Sequence, residues 1–246
     1  MKIITTSIFT FFLLFSGDCD AQWVRVDKDS IRLDGVIDRD SYQSYLDASM
    51  GGYSKVILSS VGGSPLPALM IAQDMWKRQP EITVEDYCLS ACANYLIFAT
   101  PAPEVPCGAA LAWHGTISGD ASERVEVMRL EGRNPKLIEA YRKWAERFHA
   151  MEVQYFRDVG IDRNILFDST SIVDREDIVP EAKFTFDEMT GDTTESISAG
   201  MWVPTTAIMR GYGMDTRNFC QTYDADIPRT LESLGMKMPY TSAGPN

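Results

Sequence analysis

Two consecutive strand-turn-helix units constrain the fold more than any other feature of this sequence. In each unit a short apolar run rich in β-branched residues is followed by a turn and then by a helical pattern. The units lie at residues 55–77 and 82–99. Because successive units of this kind build a parallel sheet covered by helices, we predict an α/β fold with a largely parallel, buried sheet.

The remaining secondary structure is less regular. Gly35 indicates a bulge or bend in a strand, and Asn134 with Pro135 begins a long amphipathic helix that ends at Gly160. We predict loop and short elements over the acidic segment 168–198, and a frayed tail. The predicted elements are strands 23–26, 31–37, 55–60, 82–84 and 109–113, turns 62–63 and 86–89, and helices 38–50, 66–77, 90–99 and 134–160.

Residues 1–21 have the pattern of a secretory signal peptide. Lys2 precedes a largely apolar run over 8–15, and small and polar residues follow. The run is too short to span a bilayer. We therefore expect cleavage at the end of this segment and a periplasmic or secreted protein. A lipoprotein signal at Cys19 is less favoured, because Asp18 occupies a position that normally holds a small residue.

The charge and hydropathy of the chain exclude several kinds of partner. The formal net charge is −12, and the chain has no block of lysine or arginine. Nucleic acids and anionic membrane surfaces attract basic proteins, so we expect neither as a partner. No segment of the sequence approaches the roughly 20 consecutive apolar residues of a membrane helix, so we expect no membrane span.

Four cysteines remain after removal of the predicted signal peptide: Cys88, Cys92, Cys107 and Cys220. Export exposes them to an oxidising environment, which favours disulfides over thiols. Three pairings are open. We favour Cys88 with Cys92 and Cys107 with Cys220, because a turn entering a helix can bring residues four apart within bonding range. Zinc is less favoured because Cys88 and Cys92 lack a second pair or a nearby histidine at ligand spacing.

Three segments that can carry chemistry follow three of the predicted strands. They begin at Ser60, at Ser90 and at His114. The carboxyl ends of parallel strands line one crevice, so these segments can face the same site. A serine nucleophile needs an adjacent base, and the chain has two histidines. His114 ends a strand, whereas His149 lies in the long amphipathic helix, where we expect a surface side chain. We therefore predict Ser90 as nucleophile and His114 as general base.

Backbone amides near these residues can stabilise a developing oxyanion. Glycine has no side chain to block the approach of a substrate, so the turn at Gly62 and Gly63 offers such amides, and Ala91 follows the nucleophile. Each feature also has a purely structural interpretation. Ser90 alone is commonly a helix N-cap, and a glycine pair is commonly just a turn.

The order and spacing of these segments resemble the proteolytic subunit of Clp protease and its exported relatives in the crotonase superfamily. The matching segments are Ser60-Val61-Gly62-Gly63, Ser90-Ala91-Cys92-Ala93 and His114, which lies 24 residues after Ser90. The pattern Cys-x-Ser-Ala-Cys around Ser90 is similar to the exported branch. The resemblance implies a Clp-protease/crotonase-like spiral of ββα units over residues 22–246, with a helical insertion around 134–160.

The resemblance also implies a function. It suggests a serine peptidase that acts on a peptide or protein substrate, with Gly62, Gly63 and Ala91 around the oxyanion and with neither metal nor cofactor. The family's third catalytic residue, an aspartate just before the last strand, would fall near Ala199-Gly200, where this sequence has no acid. The substitutes are Glu195, Asp174, Asp177 or a backbone carbonyl, and a Ser-His dyad is the alternative.

The missing acid keeps a second function open. A catalytically weak binding protein could use the same cleft to hold peptides or a protein partner, since a fold does not fix a function. Chemistry on an acyl-CoA thioester is less favoured, because export separates the protein from CoA and would leave Ser90 and His114 without a role. Whether the protein forms a homo-oligomer is open.

Overall fold

A five-stranded sheet lies at the centre of the protein. The computed structural model describes residues 22–117, 121–175, 181–186, 193–198, 200–235 and 239–245. The strands lie in chain order, the first pair is antiparallel and the other three pairs are parallel. They are β1 (Gln22–Arg25), β2 (Ser30–Ile37), β3 (Lys55–Gly63), β4 (Glu81–Leu89) and β5 (Ala110–Ala112). The predicted α/β class with a largely parallel sheet is confirmed.

The helices connect and cover these strands, and two small strand pairs follow them. The helices are α1 (Ser41–Ser49), α2 (Pro65–Arg78), α3 (Ala91–Asn94), α4 (Ala121–Leu130), α5 (Pro135–Val159), α6 (Asn164–Arg175), α7 (Thr206–Gly211) and α8 (Tyr223–Ser233). The paired strands are β6 (Glu181–Phe186) with β7 (Thr193–Ser198), and β8 (Met201–Trp202) with β9 (Tyr240–Thr241). No helix within the described ranges is long and apolar enough to cross a membrane. The predicted signal peptide lies outside those ranges.

Several local predictions are confirmed because short-range chemistry decides them. The register of β2 against β3 shifts between Asp34 and Val36, which is the bulge expected at Gly35. Helix α5 begins where the Asn134 side chain accepts a hydrogen bond from the Lys136 amide at 2.9 Å. It ends at Gly160, which has φ 74°. The buried face of α5, which includes Tyr141, Phe148 and Tyr155, packs on the core.

The second strand-turn-helix unit differs from its prediction. Strand β4 continues through the predicted turn at 86–89, because it pairs with β5 up to Leu89. The predicted helix 90–99 is replaced by the four-residue α3 and a 3-10 turn at Leu96–Phe98, separated by Tyr95 at φ −132°. The segment is apolar all round because protein surrounds it on every side. The apolar composition of residues 90–99 therefore indicates that the segment is buried, and it does not indicate a long helix.

One further prediction about regular structure is confirmed and another is wrong. The segment 168–198 contains short elements as predicted, namely the end of α6 and the strands β6 and β7. The tail is not frayed at 240–241, because β9 pairs with β8. In addition, the Trp202 indole donates to the Ala243 carbonyl at 2.8 Å.

Both disulfides favoured by the sequence analysis are present. One joins Cys88 in β4 to Cys92 in α3, and the other joins Cys107 before β5 to Cys220 before α8. Their sequence separations are 4 and 113 residues. Two disulfides are consistent with an extracellular or periplasmic location.

The long-range disulfide should contribute strongly to stability. Replacing Cys107 by alanine should lower the free energy of unfolding by about 3 to 5 kcal/mol, because the unfolded chain is then no longer closed into a loop of that length. Cys107 is exposed and Cys220 is partly exposed, so little packing is lost with the side chains. Urea unfolding measures the difference. The Cys107→Ala, Cys220→Ala double variant should lose no more than the single variant, and a loss under about 1 kcal/mol would contradict the prediction.

Candidate active site

The end of β3 and the residues that follow β4 and β5 meet at one edge of the sheet. The pairing of β3 with β4 ends at Ser60 opposite Cys88, and the pairing of β4 with β5 ends at Leu89 opposite Ala112. Parallel strands that end together bring the residues after them together. Consequently Gly62 at the end of β3, Ser90 and His114 are neighbours, although 52 positions separate Gly62 from His114 along the chain.

Ser90 has an unusual backbone conformation. Its φ is 53° and its ψ is −125°, and Gln79 is the other non-glycine residue with positive φ in the described part of the chain. Such a conformation is unfavourable for a residue with a side chain and persists only where the surroundings enforce it. The Ser90 amide donates to the Ala112 carbonyl at 3.0 Å, and the Ser90 carbonyl accepts from the Asn94 amide at 2.7 Å. The neighbouring Cys88–Cys92 disulfide spans the same turn.

The imidazole of His114 contacts the Ser90 hydroxyl. Nε2 of His114 and Oγ of Ser90 are 2.6 Å apart. Part of the His114 surface is open to solvent, yet burial by surrounding protein lowers its pKa to about 4. The ring is therefore neutral near pH 7, which is the state in which Nε2 can accept the hydroxyl proton. His149 is exposed in α5, with Nδ1 3.4 Å from a guanidinium nitrogen of Arg163.

Gly62 packs directly against the turn that holds Ser90. A Cβ atom at position 62 would lie 2.5 Å from the Leu89 carbonyl oxygen and 2.6 Å from the Ser90 Cβ. At Gly63 a Cβ would overlap the carbonyl oxygen of Ile37. Both glycines have positive φ, and both lie within β3 and not in a turn after it as predicted. The close approach of β3 to Ser90 therefore requires glycine at position 62.

The amides near Ser90 differ in whether they already have partners. The Gly62 amide donates to the Ser60 hydroxyl at 3.1 Å, and that hydroxyl donates to the Gly35 carbonyl at 2.6 Å. The amide of the predicted oxyanion donor Gly62 thus already has a partner within β3. Ala91 is the first residue of α3, so its amide has no partner inside the helix. A four-residue helix carries little dipole, so α3 as a whole contributes little to the stabilisation of an anion.

Gly200, one of the two positions where the resemblance implies an acid, lies in the chain that runs beside His114. Trp113 and Trp202 form an antiparallel bridge with hydrogen bonds of 2.8 and 2.7 Å, so the chain before Trp202 runs alongside the residues after Trp113. Gly200 is buried there. Within the described ranges, no carboxyl group hydrogen-bonds to His114. The backbone of Asp174 belongs to α6 and that of Glu195 to β7, but their side chains, all of Asp177, and Ala199 lie outside what the structure describes.

Three polar residues near this site were not singled out by the sequence analysis. The Asn94 side chain donates to the Gly115 carbonyl at 2.8 Å, which links α3 to the residue after His114. Glu152 in α5 is fully buried and accepts from the Thr116 hydroxyl at 3.1 Å. One signal was available in the sequence. Glu152 lies four residues after Phe148 and three before Tyr155, which places an acid on the apolar face of the helix.

Comparisons with known proteins add little to this site. No family model matches the sequence, and no curated protein matches it. Among solved structures, the chain is similar to a crystal structure described as an enoyl-CoA hydratase/isomerase from Novosphingobium aromaticivorans DSM 12444. The match covers 62% of this chain and 80% of that one, with 10% identity and a TM-score of 0.28. A likeness of that size says nothing about activity, so the function is argued from the site.

Substituting Gly62 tests the close approach of β3 to Ser90. Gly62→Ala should lower the free energy of unfolding by more than Gly52→Ala does. Both glycines have φ above 80°, but a Cβ at Gly52 meets nothing within 4 Å, whereas one at Gly62 meets backbone. The shared backbone strain costs about 1 kcal/mol, and only Gly62→Ala adds a collision. Equal losses for the two variants in urea unfolding would show that β3 and the Ser90 turn are farther apart.

Proposed function

We propose that this protein is an exported serine hydrolase, in which Ser90 is the nucleophile and His114 the general base. The observation that carries the proposal is the 2.6 Å contact between His114 Nε2 and Ser90 Oγ. The positive φ of Ser90 supports it, because strained residues are concentrated at functional sites. The lowered pKa of His114 also supports it, because a neutral imidazole can accept a proton.

The proposed reaction forms an acyl-enzyme. Oγ of Ser90 attacks the carbonyl carbon of the substrate while Nε2 of His114 takes the hydroxyl proton. The carbonyl π electrons move to oxygen, and the amides of Ala91 and Gly63 donate to that oxyanion. The imidazolium then protonates the leaving amine or alkoxide as the carbon–leaving-group bond breaks. Water then attacks the ester on Ser90 while His114 takes its proton, which gives a second tetrahedral intermediate. When this intermediate collapses, the acid is released and His114 returns the proton to the Ser90 oxygen.

Peptides or proteins are the substrates that we propose. The support is the resemblance of the Ser60, Ser90 and His114 segments to Clp protease and its exported relatives. The signal-peptide pattern and the two disulfides support an exported site of action. In this proposal residues 22–246 form one Clp-protease-like domain, and the helix at 134–160 is its insertion.

A peptide-binding or protein-binding role without efficient turnover is the second candidate. The observation that favours it is Gly200, which lies where the resembled family carries an acid. Removing the acid that orients a catalytic histidine can lower turnover about 10⁴-fold. The two candidates differ in whether Ser90 reacts covalently.

A fluorophosphonate probe separates these functions. The mature protein should be labelled on Ser90, and Ser90→Ala should not be labelled at all. His114→Ala should reduce the labelling rate by about 10² to 10⁴, which is the usual contribution of a general base. His149→Ala is the matched control and should label like the wild type, because His149 is exposed on α5. Equal labelling of wild type and Ser90→Ala in intact-mass spectra rules out the hydrolase proposal.

The pH dependence of labelling tests the environment of His114. Labelling needs the neutral ring, so the rate must fall as pH falls through the pKa of His114. Because that pKa is lowered to about 4, the rate should stay level from pH 7 to about pH 5 and reach half near pH 4. A solvated histidine would give a midpoint near 6.5. Circular dichroism at each pH checks that the protein remains folded, and a midpoint at 6 or above contradicts the assignment.

A further inference from the structure

Glu152 is a buried acid that no step of the proposed reaction uses. Its side chain is fully buried in α5. Oε1 accepts hydrogen bonds from the Tyr95 hydroxyl at 2.7 Å and from the Thr116 hydroxyl at 3.1 Å. Oε2 lies 3.7 Å from a guanidinium nitrogen of Arg163 and has no hydrogen-bond partner among the described atoms.

An acid at this position is costly for folding alone. Burying a carboxyl group requires partners that replace water, and apolar residues of similar volume often give equal or greater stability. The neighbours of Glu152 on the same helix face, Phe148 and Tyr155, are aromatic residues of the core. The chain therefore has an acid at a position where packing favours an apolar side chain. The hydrogen-bond partners of Glu152 indicate which part of the structure this acid fixes.

Glu152 holds the chain immediately after the proposed base. Thr116 lies two residues after His114 and is bonded to Glu152. Gly115, which lies between His114 and Thr116, accepts a hydrogen bond from the Asn94 side chain at 2.8 Å on its carbonyl oxygen. The backbone amide of Asn94 donates to the Ser90 carbonyl. The residues after His114 are thus tied to the helix of the nucleophile at position 115 and to α5 at position 116.

We propose that Glu152 is a positioning residue, which acts through Thr116 to hold His114 at hydrogen-bonding distance from Ser90. The inference rests on the proposed function. Glu152 restrains the proposed base in a site where Gly200 occupies the position of the expected acid. Precision of this kind matters, because a displacement of about 1 Å in a reacting group can lower a rate about 10²-fold.

The test compares three substitutions in the full mature protein. Thr116→Val replaces the hydroxyl that bonds Glu152 with a methyl group at a half-buried position, and Thr116→Ser keeps a hydroxyl there. Tyr155→Phe is the structural control. Tyr155 lies on the same helix as Glu152, and its buried hydroxyl donates to the Tyr95 carbonyl at 2.7 Å. The substitution removes this hydrogen bond, which does not involve residues 114–116.

Fluorophosphonate inactivation then gives the limiting rate kinact and the affinity KI separately. Thr116→Val should lower kinact by about 10- to 100-fold with KI unchanged, since a misplaced base slows the chemical step. Thr116→Ser should recover most of the rate, and Tyr155→Phe should keep it even where thermal unfolding shows a loss of stability. The inference is overturned if Thr116→Val has the same kinact as the wild type, or if Tyr155→Phe lowers kinact as much as Thr116→Val does.

A second readout does not depend on activity. The ¹⁵N resonances of the His114 ring should move in Thr116→Val and stay in place in Tyr155→Phe, because only the first variant releases the chain next to the ring. Absence of any labelling in the wild type would defeat the proposed function, while these spectra would still decide whether Glu152 and Thr116 position His114. Unchanged ¹⁵N resonances in Thr116→Val count against the inference.

Discussion

The parallel pairing of β3, β4 and β5 is the constraint on which the site depends. It makes three strands end at one edge, and it brings the backbone of β3 so close to the turn after β4 that only glycine fits at position 62. Ser90 and His114 meet there without any help from proximity in sequence. Ser60 is buried between paired strands, where its hydroxyl donates to the Gly35 carbonyl in β2 and accepts from the Gly62 amide in β3.

The turn at Ser90 has a strained backbone conformation that its neighbours maintain. A positive φ at a non-glycine residue costs on the order of 1 to 3 kcal/mol. At Ser90 the bonds to Ala112 and Asn94 oppose relaxation, and the Cys88–Cys92 disulfide closes the turn covalently. Beside this turn, burial by surrounding protein lowers the pKa of His114 and so keeps its imidazole neutral near pH 7.

The predictions from sequence succeeded where local chemistry decides the structure. Asn134 and Gly160 bound α5 because capping depends on adjacent residues. The helix predicted at 90–99 failed because apolar composition without periodicity reports burial and not conformation. The occupied Gly62 amide could not be foreseen, since it depends on the orientation of the Ser60 hydroxyl within a three-strand contact.

The most direct test of the central claim is a crystal structure of the protein after reaction with a fluorophosphonate. We expect phosphorus bonded to Ser90 Oγ, the phosphoryl oxygen within hydrogen-bonding distance of the Ala91 amide, and His114 Nε2 beside the Ser90 oxygen. An adduct on a different residue, or a phosphoryl oxygen directed away from Ala91 and Gly63, would contradict it.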